Sequence, residues 1–146
     1  MKAQDIMEPV KDNLYPDELL KDAVNKMRKA WRGEDRLGVK GRNVIDKDGK
    51  LIGMLCIKDV IKAVIPSYME LGKVGELAWD GMLVEMTQKA ATKKVSELMT
   101  KDVITVNENT PIMKCAHLLI NHDIQRIPVL NEEKKVVGMI YARDLY

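Results

Sequence analysis

Phenylalanine is absent from this chain, and aromatic residues make up only 4% of its 146 positions. Its core must therefore be aliphatic, with 10 methionines available to fill irregular gaps. So few rings also leave no stacking platform for single-stranded nucleic acid. Cysteine is scarce: Cys56 and Cys115 lie far apart, with no Cys-x-x-Cys pair. That excludes a zinc ribbon and a disulfide framework, and points to a reducing, cytoplasmic compartment. An excess of one charge is missing too, because 24 Lys and Arg face 22 Asp and Glu, a net of +2. A duplex-DNA binder needs a larger basic surplus. No apolar run approaches the roughly 20 residues of a membrane-spanning helix. Met1-Lys2-Ala3-Gln4-Asp5 leads into no signal-peptide core. What is present is a globular composition, 46% apolar and 32% charged, which argues against disorder. The expectation is a soluble protein: one ordinary domain, or two very small units sharing a core.

The chain repeats itself. Ile6-Met7 recurs as Leu98-Met99, and the apolar pattern around Leu19, Leu20 and Ala23 recurs around Ile112, Met113 and Ala116. Asn43-Val44-Ile45-Asp46 matches Pro128-Val129-Leu130-Asn131, and Gly53-Met54 with Asp59 matches Gly138-Met139 with Asp144, both 85 residues on. The earlier matches stand about eight residues further apart, so the first copy carries an insertion of that size between Ala23 and Asn43.

Each copy reads as strand, helix, strand, strand, helix. In the second, Val103-Ile104-Thr105-Val106 is a β-branched strand. Thr110 and Pro111 form an N-cap and first-turn pair, and Ile112, Met113, Ala116, Leu119 and Ile120 form one apolar stripe. Two strands follow, Ile127–Leu130 and Val136–Ile140, joined by a polar turn. The closing helix is truncated after Asp144. In the first copy the stripe is Leu19, Leu20, Ala23, Val24, Met27, Ala30 and Trp31. Asp46-Lys47-Asp48-Gly49 is its turn, and Asp59 to Ile65 its closing helix, ended by Pro66. The organisation is a first repeat over 1–65 with a basic insertion at about 28–42, an apolar, partly helical linker over 66–94, and a second repeat over 95–146. Neither unit buries enough apolar surface alone, so the copies pack on each other.

This order resembles a tandem pair of cystathionine-β-synthase (CBS) domains, a Bateman module. The likeness is carried by Arg126-Ile127-Pro128-Val129-Leu130-Asn131, Val137-Gly138-Met139-Ile140 and Arg143-Asp144, and by their counterparts from Val44 to Gly53 with Asp59. It covers nearly all of the chain except residues 66–94. The fold class it implies is α/β (α+β), two pseudo-symmetric repeats, each a small sheet with helices packed on it. It implies a regulatory module rather than an enzyme, binding an adenosyl compound between the repeats: AMP, ADP, ATP or S-adenosylmethionine. No cofactor is required.

By the same resemblance, Asp59 and Asp144 accept hydrogen bonds from ribose hydroxyls; the plainer reading is that each caps a helix. The family places Ser or Thr three residues earlier, where this chain has Cys56 and Tyr141. Ile124 and the backbone before Pro128 meet the adenine, although Ile124 and Ile127 also read as core. Thr100 and Thr105 line the base pocket, or merely follow β-propensity. Their first-copy counterparts are Glu8 and Asn13, so the two clefts differ chemically. Asn43 stands where the family has proline. The insertion brings Arg28, Lys29, Arg32, Arg36, Lys40 and Arg42 against Glu34 and Asp35. It holds phosphates through charge-assisted bonds, or is a solvated loop. Lys58, Arg126 and Arg143 are further phosphate partners.

His117 and His122 are five apart and share no helix face, so no metal site is expected. No P-loop or nucleophile elbow occurs, and no catalytic residue is assigned. Met69, Leu71, Trp79, Met82, Leu83 and Met86 make the linker apolar, and 76–91 reads as a helix interrupted at Gly81. The partners expected are a small adenosyl ligand, a second copy in a homodimer, and a separate effector protein, with neither nucleic acid nor membrane. The alternative is a structural dimerisation module whose clefts have decayed, which Cys56 and Tyr141 favour.

Overall fold

The computed structural model describes residues 1–10, 12–29, 41–64 and 88–145. Ala30, Trp31, Arg36, Lys40, Pro66 and the linker methionines, leucines and Trp79 lie outside the described residues. Of the helix expected over 76–91, residues 88–91 are helical and the rest lies outside the described residues. The elements run α1 (Ala3–Ile6), β1 (Glu8–Pro9), α2 (Leu20–Lys29), β2 (Gly41–Ile45), β3 (Leu51–Cys56), α3 (Ile57–Val64), α4 (Val95–Leu98), β4 (Val106–Asn107), α5 (Ile112–Asn121), β5 (Arg126–Leu130) and β6 (Val136–Tyr141). A 3₁₀ turn over Ala142–Leu145 follows them. This is an α+β fold.

The two hairpins, β2–β3 and β5–β6, are antiparallel and share their irregularities. Each has a bulge at its far end, at Val44/Ile45 and at Val129/Leu130. In the first turn Asp46 Oδ1 accepts from the amides of Asp48 and Lys50, and Gly49 takes a φ of 85°. In the second, Asn131 Oδ1 accepts from Glu133 and Lys135, and Lys134 takes a φ of 67°. An Asx turn closes both, because a short side-chain oxygen reaches the amides that the reversal leaves free.

The second hairpin widens into a four-stranded sheet in the order β1-β6-β5-β4. β4 is shorter than the four-residue strand expected from Val103. Only Val106 and Asn107 pair with β5, while Val103 packs at the seam against Met54, Met139 and Tyr141. In the first repeat the same parallel pairing shrinks to one bridge, Leu14 to Val44.

The opening segments are exchanged. β1 pairs with β6 of the second repeat, and Thr100 bridges Met54 of the first. Ala3 N donates to Thr110 O at 2.8 Å, and Val95 N donates to Glu18 O at 2.9 Å. Ala3 is buried with Val106, Cys115, Leu119, Ile127, Val129 and Ile140. Val95 and Ala90 are buried with Leu14, Leu20, Ala23, Met27, Val44 and Leu55. Two glycines admit the crossings. A Cβ on Gly53 would lie 2.6 Å from Met99 Sδ, and one on Gly138 would lie 2.5 Å from Met7 Sδ. A third small cluster, Met54, Met139 and Tyr141, joins the repeats along the seam.

Two expectations about α5 are corrected. Its inward residues are Cys115 and Leu119, whereas Met113 and Ile120 are 81% and 78% exposed. Positions seven apart complete nearly two turns, so Met113 and Ile120 share a face, and it is the one opposite Cys115. Thr110 does not cap the helix: Pro111 is the N-cap residue, and Thr110 Oγ1 accepts from Asn107 N at 3.1 Å. Its hydroxyl closes the preceding turn instead. α2 follows its pattern, with Leu20, Ala23 and Met27 all buried.

Candidate functional site

Along the seam each hairpin presents alternate residues to the other. Register places Asn43 opposite Met54, Gly41 opposite Cys56, Arg126 opposite Tyr141, and Pro128 opposite Met139. The candidate residues Asn43, Cys56, Arg126, Pro128 and Tyr141 are thereby gathered on facing surfaces of the two repeats.

At the first cleft Asp59 sits in the first turn of α3. Its Oδ2 accepts from Cys56 N at 2.8 Å, the capping geometry open to any aspartate there. Its Oδ1 accepts from the Thr100 hydroxyl at 3.1 Å, so Thr100 belongs to the cleft of Asp59. A carboxylate has about four lone-pair sites, which leaves this one able to accept further donors. Arg126 crosses the seam, and its Nη1 donates to Cys56 Sγ at 3.4 Å. Gly41 makes room: a Cβ there would stand 3.3 Å from the same Nη1. Burial pushes the Cys56 thiol above its ordinary value of 9.0, with the Arg126 charge opposing. Lys58 is exposed and makes no ion pair with a described residue.

Four candidate residues share one property. Asn13 Oδ1, Arg42 Nε, Arg126 Nε and both side-chain polar atoms of Asn43 are buried without a hydrogen-bond partner among the described residues. Asn43 is 0% exposed. Asn13 is its neighbour, since Leu14 N donates to Asn43 O at 2.9 Å. Unpaired buried polar atoms are costly and rare in native proteins, and all those found among the described residues fall in this group.

The second cleft is built differently. Tyr141 is 6% exposed, and the Arg143 guanidinium lies over its ring, 4.1 Å from the centroid. Arg143 Nη2 donates to Glu8 Oε1 at 3.1 Å, and Arg143 Nε stands 3.8 Å from Asp144 Oδ1. Glu8 was visible in the sequence only as the counterpart of Thr100; that equivalence is the signal that leads to it. Ile124 packs partly buried on the second core, and Ile127 lies fully inside it. Thr105 stands apart from the seam. It lines a cavity of about 540 Å³ with Asn107, Thr110, Lys114, Leu118 and Lys134.

Among the described residues no group of three or more His, Cys, Asp or Glu gathers as metal ligands would. None of the described helices is long and apolar enough to cross a membrane.

The sequence profile of the CBS domain matches residues 3–66 and 95–146. An uncharacterized protein of Methanocaldococcus jannaschii, MJ1426, is 28% identical over 146 residues, covering 90% of this chain and 82% of its own. The inosine-5'-monophosphate dehydrogenase of the same organism is 25% identical and aligns with 99% of this chain, which spans only 23% of that enzyme. Among solved structures, CBSX2 in complex with AMP superposes with a TM-score of 0.71 at 23% identity, over 99% of this chain and 92% of that one. The CBS domain pair of MJ0100, solved with 5'-methylthioadenosine and S-adenosyl-L-methionine, gives 0.70 at 21% identity, over 99% and 92%.

Proposed function

The chain belongs to the CBS domain family, and from that premise we propose that it is a regulatory module that senses an adenosyl ligand between its repeats and signals to a separate protein. The observation that carries this reading is the set of unpartnered buried polar atoms on Asn13, Asn43 and Arg126, beside Asp59 and Thr100. Arg42 alternates with Asn43 on β2, opposite Leu55 of the first core, and turns away from the seam. In this reading Asp59 accepts from the ribose hydroxyls, Asn13 and Asn43 supply donors and acceptors to the base, and Lys58 and Arg126 face the phosphates. Neither of these two cations is paired with a described carboxylate, which favours a phosphate-bearing nucleotide over the cationic sulfonium of S-adenosylmethionine. The adenosyl compounds bound by CBSX2 and MJ0100 support the same class of ligand.

A thermal-shift series with AMP, ADP, ATP, S-adenosylmethionine and NAD tests it, because a ligand of the native state raises the melting temperature by mass action. The phosphorylated adenosines raise it more than S-adenosylmethionine does, and Asp59→Ala removes the shift. No shift with any of them overturns the reading. A second reading, a structural dimerisation module, is favoured by the apolar surface that Met113 and Ile120 on α5, and Ile57 and Ile61 on α3, expose. Light scattering at micromolar concentration decides the assembly: a dimer has twice the 16.6 kDa of one chain.

A further inference from the structure

Four pairs of positions correspond between the clefts: Cys56 with Tyr141, Lys58 with Arg143, Asp59 with Asp144, and Thr100 with Glu8. Each substitution in the second set adds bulk or charge, and the structure shows those additions meeting one another. The Tyr141 ring takes the place of a small thiol and is covered by the Arg143 guanidinium at 4.1 Å. Arg143 is also held by Glu8, at 3.1 Å, where the first cleft has only the Thr100 hydroxyl. Asp144, 3.8 Å from the same guanidinium, faces a cation that already belongs to the chain.

The polar accounts of the two clefts are correspondingly unequal. No unpartnered buried atom among the described residues belongs to Glu8, Tyr141, Arg143 or Asp144. Arg126, the member of that group from the second repeat, reaches across to Cys56 and Gly41 of the first. A ligand entering the second cleft must lift Arg143 off an aromatic face and break a charge-assisted bond to Glu8. A ligand entering the first displaces no ion pair among the described residues.

We infer that Tyr141, Arg143 and Glu8 close the second cleft from within, so that each chain binds a single nucleotide, at Asp59. This rests on the nucleotide reading given above and adds to it which cleft is used and how many ligands are bound.

Calorimetric titration with AMP tests both points. The unaltered chain takes up one equivalent; Asp59→Asn weakens it at least tenfold, and Asp144→Asn leaves it within twofold. The combined variant Glu8→Thr, Tyr141→Cys and Arg143→Lys gives the second cleft the side chains of the first at the three positions that close it. It takes up a second equivalent, which Asp144→Asn then removes. Two equivalents in the unaltered chain overturn the closure, as does one equivalent lost through Asp144→Asn, or a folded triple variant still binding one. In each of those outcomes AMP binds and the nucleotide reading stands. Should the triple variant not fold, the stoichiometry of the unaltered chain and the two aspartate variants decide. Absence of binding by the unaltered chain and every variant overturns the nucleotide reading, and the closure with it.

Discussion

The two repeats of this protein agree where the backbone must turn or cross and disagree where side chains face the seam. Both hairpins end in an Asx turn, both carry a bulge before it, and both set a glycine under a methionine from the other repeat's opening. These are demands of chain geometry. At the seam one cleft offers Cys56, Lys58 and Thr100, and the other Tyr141, Arg143 and Glu8, on one plan of strands and helix starts. The fold tolerates either set because the cores beneath are separate: Leu14, Val44 and Leu55 in one, Ile127, Val129 and Ile140 in the other. A duplicated unit can thus keep its architecture while one of its two clefts becomes filled by its own residues.

The largest effect that would disturb the shared part of this comparison comes from the crossing glycines. Gly53→Ala and Gly138→Ala each place a Cβ within 3.0 Å of the opposing methionine, and each should cost about 1–3 kcal/mol in denaturant unfolding. They should differ in one respect. The Gly53 Cβ also lies 2.9 Å from Thr100 O, so that variant pushes on the residue bonded to Asp59 and weakens AMP as well. If both variants affect the nucleotide equally, the clefts are more alike than their side chains indicate.

A smaller effect concerns the contrast itself. The Glu8–Arg143 pair is about one-third exposed on each side. Solvent screening therefore holds its coupling to about 0.2–1 kcal/mol in a double-mutant cycle with Ala at both positions, and added salt should reduce it. A coupling of zero at low salt would remove the ion pair from the account of the closed cleft.

The smallest effect separates the two thiols. Burial pushes both Cys56 and Cys115 above the ordinary value of 9.0. For an acid whose folded value is raised, the favourable contribution is present below the unfolded value and is lost as pH rises through the folded one. Unfolding midpoints should therefore begin to fall above about pH 9, and Cys56→Ala and Cys115→Ala should each flatten that decline. At pH 7.5 iodoacetamide should modify the half-buried Cys56 before the buried Cys115. The reverse order would mean that α5 opens more readily than the seam.

Much of this arrangement could be read from the chain because its signals are local. The turns at Asp46 and Asn131, the glycines at 53 and 138, and the aspartates at 59 and 144 each announce a short-range requirement. Contacts across long separations could not be read that way. Arg143 finds Glu8 135 residues away, and Asp59 finds Thr100 at 41. Nothing in the neighbourhood of Glu8-Pro9 marks a two-residue strand whose partner lies in the other repeat. The stripe on α5 failed for a different reason. Ile112, Met113, Ala116, Leu119 and Ile120 fit a helical period within one arc of about 120°, but that arc is rotated away from the buried face, so its Leu119 edge turns inward while Met113 and Ile120 face out. Cys115, omitted from that stripe, turns inward beside Leu119.

The exchange of openings also bears on how this protein is born. Synthesis proceeds from the amino end, and domains commonly fold as they emerge, at ~5–20 residues per second. Here the hydrophobic nucleus of the earlier half waits for Ala90 and Val95, which are translated after the rest of its members. Ala3, made well before the rest of its cluster, stays without its full set of burial partners until Ile127, Val129 and Ile140 have been added. Each half therefore completes its core with a segment that chain order assigns to the other. The earlier half closes only when Val95 has followed it, and the later half closes only on a segment made long before it.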